Sequence, residues 1–469
     1  MLPSASRSVP RVAPQRPAAF LDGSFILPVV AMWIASSSSR YFGVPAFGGV
    51  PQLTVDRLCL IAVLGYVIVM VGVRKPRLRS RVGLELLLWT LAAVTAFSGY
   101  AVGSFESDPV TRIYVFNALV FPAVVVSVIL RTQLTERDIA RFIVLLTCFG
   151  VYLGLTAIFE RLSLHWALIP AAIGDPSQGI HFGRSRGPFL QAAFDGSVMV
   201  MLVPLAMLLV QLPQARWKAL GVSTTLLLCV GAYLTETRAA MLALSGVLLL
   251  GSIVPVPNRR SYRGVLAGLG LAGLLLFVAG APVIPRLDEP SSSKDRYDLL
   301  LATGEMFLAH PLAGVGYGNF DRFQVDFYNR GQHFGGLAFN KEFWDGGSHN
   351  TLLTPFAELG LFVGLLNLAF LLSRIPPGLE PVVDDRGGRR LRHPVLVCGS
   401  LMVVAFIISG FFVEFRYTAT PTLLLWSFAA IVERYRWVLG EAPVVGNSGS
   451  KQVWPRAHRS QTRPHAGVS

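Results

Sequence analysis

The chain has 469 residues, 53% of them hydrophobic and 14% charged, with a formal net charge of +14. A soluble domain carries about 25% charged residues, so a globule covered by water on all sides is excluded, and the long apolar blocks predict an all-α polytopic membrane protein. Cytoplasmic loops of such a protein collect positive charge, so no nucleic-acid partner is expected.

Residues 1–19 hold Arg7, Arg11 and Arg16 among prolines and serines and read as a disordered basic tail. The first apolar stretch is 20–37. A cleaved signal peptide has this form, but the spans behind it favour a retained helix. Further apolar stretches are 57–73, 84–103, 112–130, 139–159, 189–211, 217–235, 238–256, 264–284, 351–373, 395–414 and 418–433. About twelve transmembrane helices are thus expected, helices 1–9 within 20–284 and 10–12 within 351–435. Residues 436–469 read as a second disordered basic tail, and 285–350 as a large extracytoplasmic loop between helices 9 and 10. Cys59, Cys148, Cys229 and Cys398 each lie in an apolar run and read as small buried hydrophobes.

Charge supports an even count with both termini cytoplasmic. Alternate loops carry the basic residues: Arg74 to Arg81; then Arg131, Arg137 and Arg141; Arg216 and Lys218; Arg259, Arg260 and Arg263; Arg374 and Arg386 to Arg392. Arg434, Arg436, Lys451 and Arg456 follow the last span. A missed span would invert every later loop against the positive-inside rule.

Two outer loops are long. The first, 160–188, holds Glu160, Arg161, His165, Asp175, His181, Arg184 and Arg186. The second, 285–350, opens on a Pro/Ser linker from Pro285 to Ser293. A helix-like stretch from Asp295 follows, then the turn His310-Pro311-Leu312-Ala313-Gly314-Val315-Gly316-Tyr317-Gly318-Asn319-Phe320. These glycines follow no strand and do not space like a phosphate-binding fingerprint, so they read as a tight turn.

Charges near span ends cluster toward the outer side: Asp195, Glu236, Arg238, Glu358, Glu414 and Arg416. Taken singly, Asp195 and Glu414 read as side chains reaching the headgroups. Arg184, Arg186, Arg238 and Arg296 stand on the side where the positive-inside rule disfavours them. Guanidinium pairs bidentately with phosphate, although Arg184 and Arg186 read equally as a solvated pair. His349 stands where the long loop meets an apolar helix, with Ser348 and Asn350 suited to cap it. A neutral imidazole there can take a proton from a sugar hydroxyl; a loop histidine bonded to a carbonyl is the alternative. Asp345 and His349 are four apart with no evident third ligand, so no metal site is expected. Asp384 and Asp385 lie in a basic loop and read as solvated charge.

Thr237-Arg238-Ala239-Ala240-Met241, the His310–Phe320 turn, and His349-Asn350 with nine residues before Gly360 resemble the O-antigen ligase/polymerase family, over about residues 60–435. The ligase pattern favours glycine or a polar residue where this chain has Val363, which shifts weight toward polymerase within the family. The resemblance implies a glycosyltransferase in the bacterial inner membrane, with its active site on the extracytoplasmic side. It would take an undecaprenyl-diphosphate-linked glycan donor and a glycan or lipid-linked acceptor, without a cofactor. By the resemblance His349 is the general base, Arg186 and Arg238 hold the diphosphate, and Arg296 is a weaker member. Arg184 and Glu358 complete the expected substrate-binding set. A polysaccharide transporter or lipid flippase is the competing reading, also helical and basic inside. The outward bias of charge and the large outer loop speak against it.

Overall fold

The computed structural model describes residues 23–44, 53–73, 83–212, 214–253, 260–279, 290–330, 348–375, 382–383, 389–390 and 394–441. The expected tail at 1–19, the run from Arg74 to Arg81, Arg259, residues 285–289 of the expected linker, Asp345, Asp384, Asp385, Lys451 and Arg456 lie outside these residues.

The protein is mostly helical. In chain order the helices are α1 (Gly23–Ser36), α2 (Val55–Val73), α3 (Gly83–Ala101), α4 (Ser104–Ser107), α5 (Val110–Val115), α6 (Phe121–Arg131), α7 (Glu136–Arg161) and α8 (Ala192–Val210). They continue with α9 (Ala215–Leu234), α10 (Arg238–Ile253), α11 (Arg260–Ala279), α12 (Pro290–Ala309), α13 (Phe320–Arg330), α14 (Thr354–Leu372), α15 (Pro394–Gly410) and α16 (Ala419–Glu441). Two pairs of two-residue antiparallel strands, Gly43–Val44 with Leu53–Thr54 and Val382–Val383 with Arg389–Arg390, are the only strands among the described residues. Each expected apolar stretch contains a helix among its described residues. Among the described residues six are long and apolar enough to cross a membrane: α3, the unit Val110–Arg131, α7, α8, α9 and α14. Four shorter apolar helices accompany them.

α8 is the centre of the bundle. It is apolar around its whole circumference, which suits a helix packed on every side, and every residue from Ala192 to Val210 is buried. α7, α9, α10 and α15 surround it. Small residues set the closest approach: a Cβ at Gly221 of α9 would sit 2.6 Å from the Ala206 carbonyl oxygen of α8. At the periphery Ile61, Ile68, Phe97, Leu275 and Phe362 point outward, as side chains facing lipid do. α7 begins on a capping box, Thr135 accepting from the Asp138 N–H while Asp138 accepts from Thr135.

Three elements differ from expectation. The stretch 112–130 is not one regular α-helix but carries a π turn at Phe116–Val120. Pro122 has no N–H to give and its ring crowds the carbonyl four residues back, and the Phe121 N–H bonds five residues back, to Phe116. α12 starts at Pro290, inside the expected linker; proline is favoured in a first turn, where its missing N–H costs nothing. The last helix runs to Glu441, so the start of the expected C-terminal tail is helical.

The long segment between α11 and α14 holds two helices, α12 and α13. Leu299, Ala302 and Met306 of α12 join Val315, Phe320 and Phe327 in a small core that closes on Ala357 of α14. α14 is broken at Gly360, whose φ is 80° and ψ −176°. The break frees backbone groups that must find partners. The Val315 and Gly316 N–H groups donate to the Ala357 and Glu358 carbonyls at 2.9 Å each, and Leu361 N–H donates to Pro311 at 2.8 Å. The Gly-rich stretch is a tight turn as expected, with positive φ at Gly314, Gly316 and Gly318. It is also the plug for the broken helix.

Candidate active site

His349 sits on a buried platform. Ser348 and Asn350 on either side are each 5% exposed, whereas His349 itself is half-buried. Asn350 Oδ1 accepts from the N–H groups of Leu352 and Leu353 at 3.0 and 2.9 Å. Ser348 Oγ accepts from Asn350 N–H at 3.1 Å and is hydrogen-bonded to Thr354 Oγ1. The next residue latches the platform to the bundle: Thr351 N–H donates to Gly410 at 2.7 Å, its hydroxyl to Val413 at 2.6 Å, and Phe415 N–H donates to that hydroxyl at 2.8 Å. Between these anchors His349 has φ 52°, a left-handed conformation uncommon for a residue with a side chain. Such conformations persist where the surroundings over-determine them, often at functional sites.

Beneath the platform lies an ion pair that joins distant parts of the chain. Arg416 Nη1 contacts both Glu358 carboxylate oxygens, at 2.9 and 2.8 Å. Phe320 N–H donates to the same carboxylate at 3.3 Å. Arg416 Nε lies 2.6 Å from Glu414 Oε1, but its N–H is not aimed for a hydrogen bond. The rings of Tyr114, Tyr317 and Tyr417 surround the guanidinium at 5.8, 5.6 and 5.5 Å. Glu358 is 1% exposed and Glu414 2%, so Glu414 does not reach the headgroups as its sequence position suggested. Asp195, at 0% exposure, does not either. Breaking a buried pair by removing one partner costs about 3–5 kcal/mol. Arg416→Met is therefore expected to lower the unfolding midpoint of detergent-solubilised protein by several degrees. Adding Glu358→Gln should restore part of the loss, and additive losses would disprove the coupling.

Arg184 and Arg186 lie in the loop between α7 and α8, and Arg238 follows the α9–α10 turn. Arg184 Nε donates to Thr235 at 3.0 Å, and its Nη2 to the Glu236 carbonyl at 2.7 Å and the Thr237 hydroxyl at 2.9 Å. Ser185 N–H adds a bond to Leu234 at 3.1 Å. Arg184 thereby holds the turn that presents Arg238, the half-buried first residue of α10. Glu236 in that turn has φ 49° and pairs with Arg161 at 3.4 Å.

Arg186 points inward. At 1% exposure it donates to the carbonyls of Ile173 and Asp175, at 2.9 and 2.5 Å, and to that of Gln178. Its guanidinium lies 4.8 Å from the Phe182 ring centre, and its Nε is 4.0 Å from Glu160. Burial lowers its pKa from the ordinary value, and the Glu160 and Asp175 carboxylates oppose that shift. Glu160 also accepts from Arg186 and Gly187 N–H groups, so its carboxylate folds the loop.

The structure thus joins Arg184, Arg186 and the Arg238 turn in one hydrogen-bonded unit. Ser185 Oγ lies 3.5 Å from Asp195 of α8, and the ring of the adjacent Phe194 lies 6.4 Å from that of Phe415, which bonds Thr351. Arg296 lies in α12, which packs against α14; its side chain is outside the described residues. Sequence reasoning placed Arg416 at an outer turn but gave it no role at the site. The available signal was Glu414-Phe415-Arg416 in a very short turn opposite Glu358. Among the described residues no three His, Cys, Asp or Glu side chains converge on a point.

A comparison with curated proteins finds no match. Residues 223–368 match the family model described as O-antigen ligase. The matched segment contains Arg238, Arg296, the Gly-rich turn, His349, Glu358 and Gly360; Arg184, Arg186 and Arg416 lie outside it. Over residues 223–368 the chain is similar to the O-antigen ligase family, a narrower stretch than the 60–435 over which its sequence resembles that family.

Proposed function

We propose that this protein is a membrane glycosyltransferase of the O-antigen ligase type. It would move a glycan from undecaprenyl diphosphate to an acceptor hydroxyl at the outer face of the bacterial inner membrane. The observation that carries this reading is His349, fixed in a left-handed conformation by buried neighbours within the matched segment. The imidazole takes the proton of the acceptor hydroxyl as its oxygen attacks the anomeric carbon. The bond from that carbon to the phosphate oxygen breaks, and its electron pair leaves on undecaprenyl diphosphate. Attack opposite the leaving group inverts the anomeric configuration.

Negative charge on the leaving diphosphate needs a cationic partner. Arg238 at the N-terminus of α10 adds a guanidinium to the partial positive charge of the helix end. Arg184 holds its turn and adds to the local potential. Arg186 in the described conformation organises the loop, and would touch phosphate only by exchanging carbonyl partners for phosphate oxygens. Arg296 contributes from α12. Glu358, with both oxygens on Arg416, supports the helix behind His349 and is proposed as a positioning residue. No metal is proposed for the reaction. We read the basic loops as cytoplasmic, with about twelve spans and both termini inside, a topology that would put these groups on the outer side.

A repeat-unit polymerase of the same family remains the second reading, favoured by Val363. Glycan length in a deletion strain decides between them. Long chains left on the lipid carrier mean ligase; single repeats on the final acceptor mean polymerase.

A further inference from the structure

A polar cleft of 540 Å³ lies apart from the His349 platform, between the end of α1, the start of α2, the π turn and the 188–190 turn. Its size falls within the roughly 300–1,000 Å³ of ligand pockets. Hydroxyl and amide groups line it: Ser37, Ser39, Tyr41, Thr54 and Asn117. Asp56, Arg40 and Arg57 add charge of both signs, and Phe189 and Tyr417 add aromatic faces. Thr54 is 4% exposed and its hydroxyl has no hydrogen-bond partner. An unpaired buried hydroxyl costs about 1–3 kcal/mol, so its place on a cleft wall points to a polar occupant. Asn117 comes from the π turn, and such turns recur at functional sites.

The cleft is continuous with the arginine loop. Tyr41 hydroxyl donates to Gln178 Oε1 at 2.5 Å, and the Gln178 carbonyl accepts from Arg186. A lipid chain would leave the Thr54 hydroxyl unpaired and lay an apolar tail against Asp56, Arg40 and Arg57, at a desolvation cost that the tail cannot offset. A bare phosphate would use the arginines but meet Asp56 and leave the aromatic faces idle. A sugar matches all three features: hydroxyls for the polar wall, neighbouring hydroxyl pairs for carboxylate and guanidinium, and an apolar ring face for the aromatics.

We infer that this cleft is a saccharide-binding subsite that seats one sugar of the donor or acceptor glycan while the neighbouring bond is formed at His349. The inference rests on the transferase reading above and extends it to residues outside the matched segment.

The test uses full-length protein in lipid nanodiscs. The probe is the oligosaccharide freed by mild acid from the source strain's own lipid-linked precursor. Saturating oligosaccharide should slow amide hydrogen exchange several-fold in peptides covering 36–44, 53–57 and 187–190. Asn117→Leu should abolish that protection, and His349→Ala should retain it. In the transfer assay Asn117→Leu should raise one KM about tenfold, equivalent to about 1.4 kcal/mol, with kcat within roughly twofold. A raised donor KM assigns the subsite to the donor glycan, and a raised acceptor KM to the acceptor. Ser39→Trp, which fills the cleft, should reproduce the same change. Absence of protection in the wild type, or unchanged KM values in both variants, overturns the subsite. Protection in a wild-type protein that transfers no glycan would leave the subsite standing and remove the transferase reading.

Discussion

His349→Ala is expected to reduce glycan transfer by about 10²–10⁴-fold, the usual contribution of a general base. The loss should appear in kcat, with donor and acceptor KM little changed, because a base acts as the proton moves and not as substrate binds. The thermal midpoint should hold or fall slightly. His349 itself is half-buried, while Ser348, Asn350 and Thr351 make the bonds that anchor the platform. Alanine adopts φ near 52° less readily than histidine, so His349→Gly is the companion variant, relieving that strain while still removing the base. Equal loss in both variants assigns the effect to the imidazole. Recovery in His349→Gly would mean that backbone shape, and not proton transfer, is what this position supplies.

Gly360→Ala is expected to be the most damaging single-methyl change outside the catalytic position. With φ 80° and ψ −176° the backbone lies where essentially only glycine is found, and other residues there cost about 1–3 kcal/mol. The added Cβ would also run into the Leu312 carbonyl. Relief by straightening α14 would withdraw the Ala357 and Glu358 carbonyls and the Leu361 N–H from the Gly-rich turn. The total should reach about 3 kcal/mol or more, within the range of special backbone positions and lost buried hydrogen bonds. Gly314→Ala should behave alike, because its Cβ would meet the Glu358 backbone from the other side. The two share one interface, so the double variant should lose less than the sum of the singles. Thermal unfolding of the purified protein measures all three, and strict additivity would show that turn and helix break are not one unit.

Much of the scaffold was legible because lipid imposes a simple rule. A stretch without charges that must satisfy its own backbone becomes a helix, and each apolar stretch contains one among its described residues. The His349-to-Gly360 spacing was legible as a pattern, but its physical meaning was not: Gly360 is where the helix breaks and the Gly-rich turn docks. α13 was missed although Phe320, Phe323 and Phe327 repeat at helical spacing and pack with α12. The glycines just before it read as punctuation and masked its start. The π turn follows from Pro122, a proline that apolar periodicity alone does not weigh.

Side-chain direction was least legible. Arg186 was expected at the diphosphate, and nothing in its neighbours announced that three carbonyls from 173–178 would fold around it. Glu358 of α14 and Arg416, in the turn between α15 and α16, are 58 residues apart and meet only through tertiary packing. Burial of Asp195 and Glu414 has the same origin. A charge near a span end can turn to water or to a partner, and tertiary packing alone chooses.

The central claim is that the chain makes a glycosidic bond and does not merely move a lipid-linked glycan. Purified protein in sealed proteoliposomes, supplied with the source strain's lipid-linked precursor and acceptor, tests it most directly. The account predicts one free undecaprenyl diphosphate for each glycan joined to acceptor, with inverted anomeric configuration, and neither product from His349→Ala. Precursor that crosses the bilayer intact, at the same rate in wild type and His349→Ala and with no diphosphate released, would contradict it.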